Sequence, residues 1–412
     1  MNVAYFSPMP PETSGIADYS ALLLPSLRHR AAVTVAKHGA KRPPRGTDVA
    51  LYHVGNDPKA HGWILDALRR HPGVVVLHEF VLHHLVSGAT LAKGDVKAYL
   101  DALERDGGLV ARLLGHAVVE QRIPPLWESR AQDFPLAGAV LDHATGLIVH
   151  SRYVASRARA AGYERPIAVI PHPAWPDPGT TPAEIAGSPL VGCFGHVNAS
   201  KRVPQLLAAF ASVRARHPEA RLLLVGSTSP NFDLERRMQR LGLDADGVVR
   251  ESRVDETQLW SLMAACDVCV NLRAPTMGET SGTAVRALTL GKPLLVSGIG
   301  WFAELPDAVA LKAQPDEHEA EALEAALELL VTRPDVRAEM GAAARELARI
   351  EHDVERVADR YVAALEVALG GEAVDDAVLG EVGSAAAAVG IGPGSPEATE
   401  LARRLSEVEL GG

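Results

Sequence analysis

Short apolar runs and amphipathic helical stretches take turns along almost the whole chain, and the pattern starts over once, after a proline-rich break. Such alternation marks parallel strands buried on both faces, each returned by a helix that covers the sheet. In the first half the candidate strands are "NVAYFS", "AAVTVAK", "DVALYHV", "GVVVLHE", "GLIVHS" and "IAVIPH", with helices over 18–29, 58–71 and 150–162. In the second they are "LVGCFGHV", "RLLLVGS", "GVVRES", "VCVNL" and "PLLVS", with helices over 203–216, 233–241, 256–265 and 282–290. A long helical region spans 316–369.

The break, "PAWPDPGTTPAEIAGSP", holds five prolines in seventeen residues and reads as a linker. At about 150 residues per domain, 412 residues suffice for two or three. The expected division is an α/β domain over 1–175, a linker over 176–188, a second α/β domain over 189–350, a C-terminal helix over 351–370 that packs back on the first domain, and a partly mobile Ala/Gly-rich tail over 371–412. Within the tail, "ATELARRLSEVEL" carries helical spacing. Two facing sheets would turn their carboxyl ends to one cleft, where open α/β sheets bind ligands.

Charge and composition narrow the function. Lys plus Arg is 41 against 51 Asp plus Glu, a net charge of −10, which argues against a nucleic-acid partner. Cys193, Cys266 and Cys269 are the three cysteines, and the lone C-x-x-C has no second pair, so packing is expected rather than zinc. No stretch approaches about 18 apolar residues and no leader pattern opens the chain, so a soluble cytoplasmic protein without a membrane span is expected, peripheral association being left open.

Four loops after strands could carry chemistry. In "FSPMPPETSGIADYS", Gly15 opens a helix and would let a phosphate approach backbone N–H groups, a purely structural turn being the alternative. In "VVVLHEFVLHHL", His78 stands at a strand tip with His83 and His84 following; their spacing is not that of a helical metal pair, so an acid–base or hydrogen-bonding His78, or a core histidine, is expected. In "CFGHVNASKR", Gly195 precedes Lys201 and Arg202, a point charge and a fork suited to a diphosphate. In "TMGETSGTAVRALTLGKP", Glu279 could accept sugar hydroxyls while the amides of Thr280, Ser281, Gly282 and Thr283 hold phosphate.

Taken in order, "FSPMPPETSGIADYS", "VVVLHE", "VIPHPA", "FGHVNASKR" and "GETSGTAVRALTLGKPLLVS" resemble the family-4 retaining glycosyltransferases over about residues 1–370. The resemblance implies a GT-B fold, two Rossmann-like doubly wound domains facing an interdomain cleft. It implies that Gly15 contacts donor diphosphate, that His78 lies beside the donor sugar, and that Lys201 and Arg202 steady the leaving diphosphate, although His196 stands where the family has an arginine. The family carries a second glutamate at the head of "EAxxxGxP" that holds the nucleotide ribose. Here Arg286 occupies that place, and Glu279 stands seven residues before it, one off the family spacing.

The implied activity is transfer of a sugar from a nucleoside diphosphate sugar to the hydroxyl of a sugar or small-molecule acceptor, an EC 2.4 reaction with retention at the anomeric carbon. A same-face departure and attack fits, since no carboxylate nucleophile is evident, and cationic groups supply the counter-charge without a metal or other cofactor. Arg253 and Val254 are the nucleobase candidates, and Asp18, Tyr19 and His83 the acceptor candidates. Two alternatives stand beside this: a GT-B-type nucleotide-sugar epimerase, and an inactive nucleotide-sugar-binding homologue for which Arg286 speaks.

Overall fold

The computed structural model describes residues 1–12, 14–252, 254–370, 373–392 and 394–407. Two six-stranded sheets organise it, and neighbouring strands in each run parallel. The first contains β1 (Asn2–Phe6), β2 (Ala32–Val35), β3 (Val49–Val54), β4 (Gly73–Leu77), β5 (Ala144–Val149) and β6 (Ile167–Val169), in the order β2-β1-β3-β4-β5-β6. The second contains β7 (Leu190–Phe194), β8 (Arg221–Val225), β9 (Val248–Glu251), β10 (Val268–Asn271), β11 (Leu294–Ser297) and β12 (Ala310–Ala313), in the order β12-β11-β10-β7-β8-β9. Each order reverses once, between β1 and β3 and between β7 and β10, and such reversals open a crevice at the carboxyl ends of the strands.

The first sheet is covered by α1 (Gly15–Arg28), α2 (Pro58–Arg70), α3 (His83–Ala89), α4 (Val96–Val119), the single turns α5 (Leu126–Ser129) and α6 (Gly138–Leu141), and α7 (Arg152–Ala160). The second carries α8 (Val203–Arg216), α9 (Leu234–Arg240), α10 (Glu256–Ala265), α11 (Gly282–Thr289), α12 (Glu319–Thr332) and α13 (Pro334–Glu351). The chain then continues through α14 (Val354–Ala368), α15 (Ala373–Ala388) and α16 (Pro396–Glu407). Helix starts follow local chemistry: Ser14, Asp57, Ser281 and Asp353 each cap the next helix by accepting a backbone N–H.

Apolar layers lie on both faces of both sheets, as fully apolar strands require. One of them joins the ends of the chain. Val357, Ala358, Tyr361 and Leu365 of α14 are buried with Tyr19, Leu23 and Leu27 of α1, and the Tyr19 and Tyr361 hydroxyls meet at 2.5 Å. Burying each large apolar side chain contributes about 1.5–3 kcal/mol, so α14 is a structural part of the first domain.

Three details differ from the expectations. The region 316–369 is three helices, because Pro334 starts α13 and Asp353 caps α14. Strand β12 was not foreseen: "ALKA" has little intrinsic strand preference and is held by pairing with β11. Helix α15 forms in the Ala/Gly-rich stretch where none was foreseen, whereas α16 forms where "ATELARRLSEVEL" carries helical spacing. All three cysteines are free and buried.

Candidate active site

A cavity of about 260 Å³ opens between the two domains. The first domain contributes Ser14 and Gly15 at the start of α1, Asn56 and Asp57 after β3, His78 and Glu79 after β4, and His150 after β5. The second contributes Glu279, Thr280, Gly282 and Arg286 from the loop and first turns of α11, while His172 and Trp175 come from the crossing between them.

On the first-domain side the groups are mostly hydrogen-bond acceptors. His150 Nδ1 donates to Ile170 O at 2.8 Å and His172 Nδ1 donates to Pro173 O at 2.7 Å, which leaves each Nε2 as the acceptor. His53 Nδ1 and His78 Nε2 are 3.0 Å apart, one donating to the other, and the Tyr19 ring meets His78 edge-on at 4.8 Å. Burial pushes His53, His78 and His172 well below the usual imidazole range, and the neighbouring His150 adds to it in each case; burial likewise lowers His61 and His150 to about 4. These rings are therefore neutral at physiological pH. Burial and the nearby charge of Glu279 lift Glu79 to about 7, against the pull of the Asn56 N–H and Arg273. Neutral imidazoles and carboxyl groups suit the hydroxyls of a polyol.

The second-domain side is rich in donors. Ser281 Oγ accepts the Ala284 N–H at 3.3 Å, and Asn271 Nδ2 donates to Ser281 Oγ at 2.8 Å and Thr283 Oγ1 at 2.9 Å, so the tip of β10 fixes the start of α11. The first N–H groups of α11 have no partner inside the helix and carry its positive end. Thr280 Oγ1 is buried with no partner among the described residues. Across the cleft, α1 presents a second N-terminus at Gly15, where an added Cβ would meet nothing within 4 Å.

Glu279 is held by its own loop. It accepts the Met277 N–H at 2.7 Å and the Thr276 hydroxyl at 3.1 Å, and lies 2.7 Å from Arg273 Nε. That loop also spans the cleft: Met277 O accepts the N–H groups of Phe80 at 2.8 Å and Val81 at 3.0 Å. Gly278 has φ +89 in this turn, with Phe80 only 3.0 Å from where a Cβ would stand.

The remaining sequence candidates divide. Asp18 and Tyr19 line the cavity, but the Tyr19 hydroxyl is engaged by Tyr361, so only its ring faces inward. His83 lies outside the cavity lining: Nδ1 donates to Phe134 O at 2.7 Å and Nε2 accepts from Tyr99 at 2.9 Å, making it a core histidine with no nitrogen left for an acceptor. Lys201 and Arg202 also stand apart from the lining. Lys201 Nζ donates to Phe194 O at 3.0 Å beside Gly195 (φ +100), and burial with Arg273 nearby lowers it to about 8. Arg202 forms an ion pair with Glu319, a buried carboxylate. Val254 packs against the second-domain core, and Arg253 lies outside the described residues.

Sequence reasoning passed over His150, His172, Trp175 and Arg273, and gave Glu79 no role in sugar binding. His150 and His172 follow β5 and β6 just as His78 follows β4, so the rule that singled out His78 would have found them. Trp175 was hidden in the linker and is recognisable only by its partner: Arg286 Cζ lies 3.6 Å from its ring centroid. Among the described residues, no three His, Cys, Asp or Glu side chains are grouped to hold a metal ion.

Several solved structures share this architecture. Sucrose-phosphate synthase (tll1590) from Thermosynechococcus elongatus superposes with a TM-score of 0.62 at 18% identity, covering 88% of this chain and 97% of that one. Anabaena HepE (Alr3699) in complex with UDP-glucose gives 0.60 at 17%, and with UDP and glucose 0.59 at 16%, each covering 89% of this chain and 100% of that one. The fold is therefore GT-B, two Rossmann-like domains facing a cleft. Residues 182–347, the greater part of the second domain, match the family described as Glycosyl transferases group 1. No curated protein sequence matches the chain. The expectation of a glycosyltransferase-type enzyme agrees with that family match over the second domain.

Proposed function

We propose that the protein is a retaining, family-4-type glycosyltransferase that moves a hexose from a nucleoside diphosphate sugar to an acceptor hydroxyl without a metal ion. The observation that carries this reading is the interdomain cavity, where the N-termini of α1 and α11 face each other across a space lined by polyol-type acceptors. The bond from the anomeric carbon to the diphosphate breaks and the bond to the acceptor oxygen forms on the same face; the acceptor proton leaves with the diphosphate. The helix ends at Gly15 and at Thr280, Ser281, Gly282 and Thr283 take the growing phosphate charge, with Lys201 and Gly195 at the neighbouring strand tip. Arg202 serves indirectly, by fixing the turn that carries Lys201 to Glu319.

His78 and Glu279 hold the donor sugar, one as a neutral imidazole and the other as a carboxylate oriented by Arg273. Asp18 and the Tyr19 ring border the acceptor. Val254 lies towards the nucleobase. HepE is described with UDP and with UDP-glucose, which makes UDP-sugars the first donors to try.

The test is a panel of nucleoside diphosphate sugars, read by thermal stabilisation and slow donor hydrolysis, then by NMR of the product anomer with and without EDTA. A donor at 100 times its Kd stabilises by about 2.7 kcal/mol. Inversion at the anomeric carbon, or loss of turnover in EDTA, overturns the mechanism. Arg286, standing where the resemblance calls for a glutamate, favours one second reading, an inactive donor-binding homologue. Stabilisation by a donor with neither hydrolysis nor transfer would establish that one.

A further inference from the structure

Neither cation foreseen for the diphosphate is among the residues that line the cavity: Lys201 is bonded to Phe194 O and Arg202 is paired with Glu319. Among the described residues that line the cavity, Arg286 is the one lysine or arginine. We infer that Arg286 and the first turn of α11 together form the anion cradle of this site, taking a phosphate of the donor's diphosphate. This rests on the nucleotide-sugar reading above.

The guanidinium is placed by packing. It lies over the Trp175 ring, with Cζ 3.6 Å from the centroid and Trp260 at 5.9 Å. A Cβ on Gly282 would stand 3.4 Å from both Arg286 Nη1 and the Trp175 ring, so the guanidinium sits beside the first turn of α11. Glycine at 282 keeps that corner open.

Its hydrogen bonding is incomplete. Arg286 is 8% exposed, yet Nε has no partner among the described residues. Nη2 is ion-paired at 3.2 Å with Glu256, a largely exposed carboxylate, and Nη1 makes only a long contact of 3.5 Å with Gly282 O. A guanidinium cannot shed its proton, so buried unpaired N–H groups call for an acceptor, and a phosphate oxygen fits the fork.

Four carboxyl groups share the lining, and three of them are already accounted for. Glu279 lies against Arg273, Asp57 accepts the Lys59 N–H at 2.8 Å, and Glu79 is raised to about 7 and so is partly protonated at neutral pH. Asp18 is the remaining one, and it interacts electrostatically with Arg286 across the cavity. It competes with an incoming anion for that charge.

Inorganic pyrophosphate, titrated calorimetrically into the full chain, tests the cradle without knowledge of the nucleotide. Arg286→Gln weakens binding by about tenfold or more, Arg286→Lys restores part of the loss, Lys201→Gln weakens it by a smaller factor, and Asp18→Asn tightens it. No binding to the wild-type chain, or a larger loss from Lys201→Gln than from Arg286→Gln, overturns the inference. If Arg286→Gln fails to fold by circular dichroism, Arg286→Lys and Asp18→Asn decide: unchanged affinity in both overturns it. Arg286-dependent pyrophosphate binding with no response to any nucleotide sugar would keep the cradle and sink the transferase reading.

Discussion

Glu79→Gln should stabilise the protein in alkaline solution and leave it unchanged in acid. Glu79 sits at the cavity wall, where burial, with Glu279 adding repulsion, raises its carboxyl from 4.5 to about 7. In the unfolded chain the same group ionises near its ordinary value. Between the two values the folded state binds more protons than the unfolded one, so the wild type loses stability as pH rises, at up to about 1.4 kcal/mol per pH unit. The loss starts near pH 4.5, is complete somewhat above pH 7, and totals about 3 kcal/mol. Glutamine cannot ionise, and its Oε1 can keep the 3.3 Å bond from the Asn56 N–H. Urea unfolding of wild type and Glu79→Gln, followed by fluorescence from pH 4.5 to 9, should give curves that coincide at the acid end and separate by that amount above pH 8. A constant difference across the range would mean that Glu79 titrates normally, and the picture of a dehydrated cavity wall would fall.

Other perturbations separate structure from function. Tyr361→Phe removes the 2.5 Å hydroxyl pair with Tyr19 and should lower stability by about 1–2 kcal/mol in denaturant melts; no change would place α14 elsewhere. Glu319→Ala strips Arg202 of its buried partner and should cost about 1–3 kcal/mol, allowing for the partial exposure of Arg202; an unaffected midpoint would mean that Arg202 is free to turn into the cleft. Gly15→Ala places its methyl in open space, so melting should hold within about 0.5 kcal/mol while donor affinity falls, as isothermal titration would read. Glu279→Gln loses charge against Arg273 and should reduce discrimination between donor sugars, measured as the ratio of their kcat/KM values, by about tenfold; an unchanged ratio would remove Glu279 from the sugar site.

The sheets were legible because the central strands are apolar runs buried on both faces, whereas "ALKA" of β12 owes its conformation to neighbours rather than to its own residues. The loops that matter were legible too, since Gly15, His78, Glu279 and Arg286 all follow strands at the carboxyl edge. Pairings across long sequence distances were not. Nothing local to Arg202 announces Glu319, 117 residues away, and nothing in a proline-rich linker announces that Trp175 will carry a guanidinium. His83 misled because a histidine near a strand tip looks the same in sequence whether its nitrogens are free or bound to Phe134 O and Tyr99.

Helix α14 sets an order of events during synthesis. The layer beneath α1 stays uncovered until Val357, Tyr361 and Leu365 have been made, after the entire second domain. The usual sequence, in which an amino-terminal domain completes itself while the ribosome builds the next, is therefore unavailable here: the first domain must wait as an open sheet. A chain cut short at residue 350 would keep every strand of both sheets and still expose Tyr19, Leu23 and Leu27 to water, so early termination, rather than substitution inside the sheets, is the lesion to which this architecture is most vulnerable.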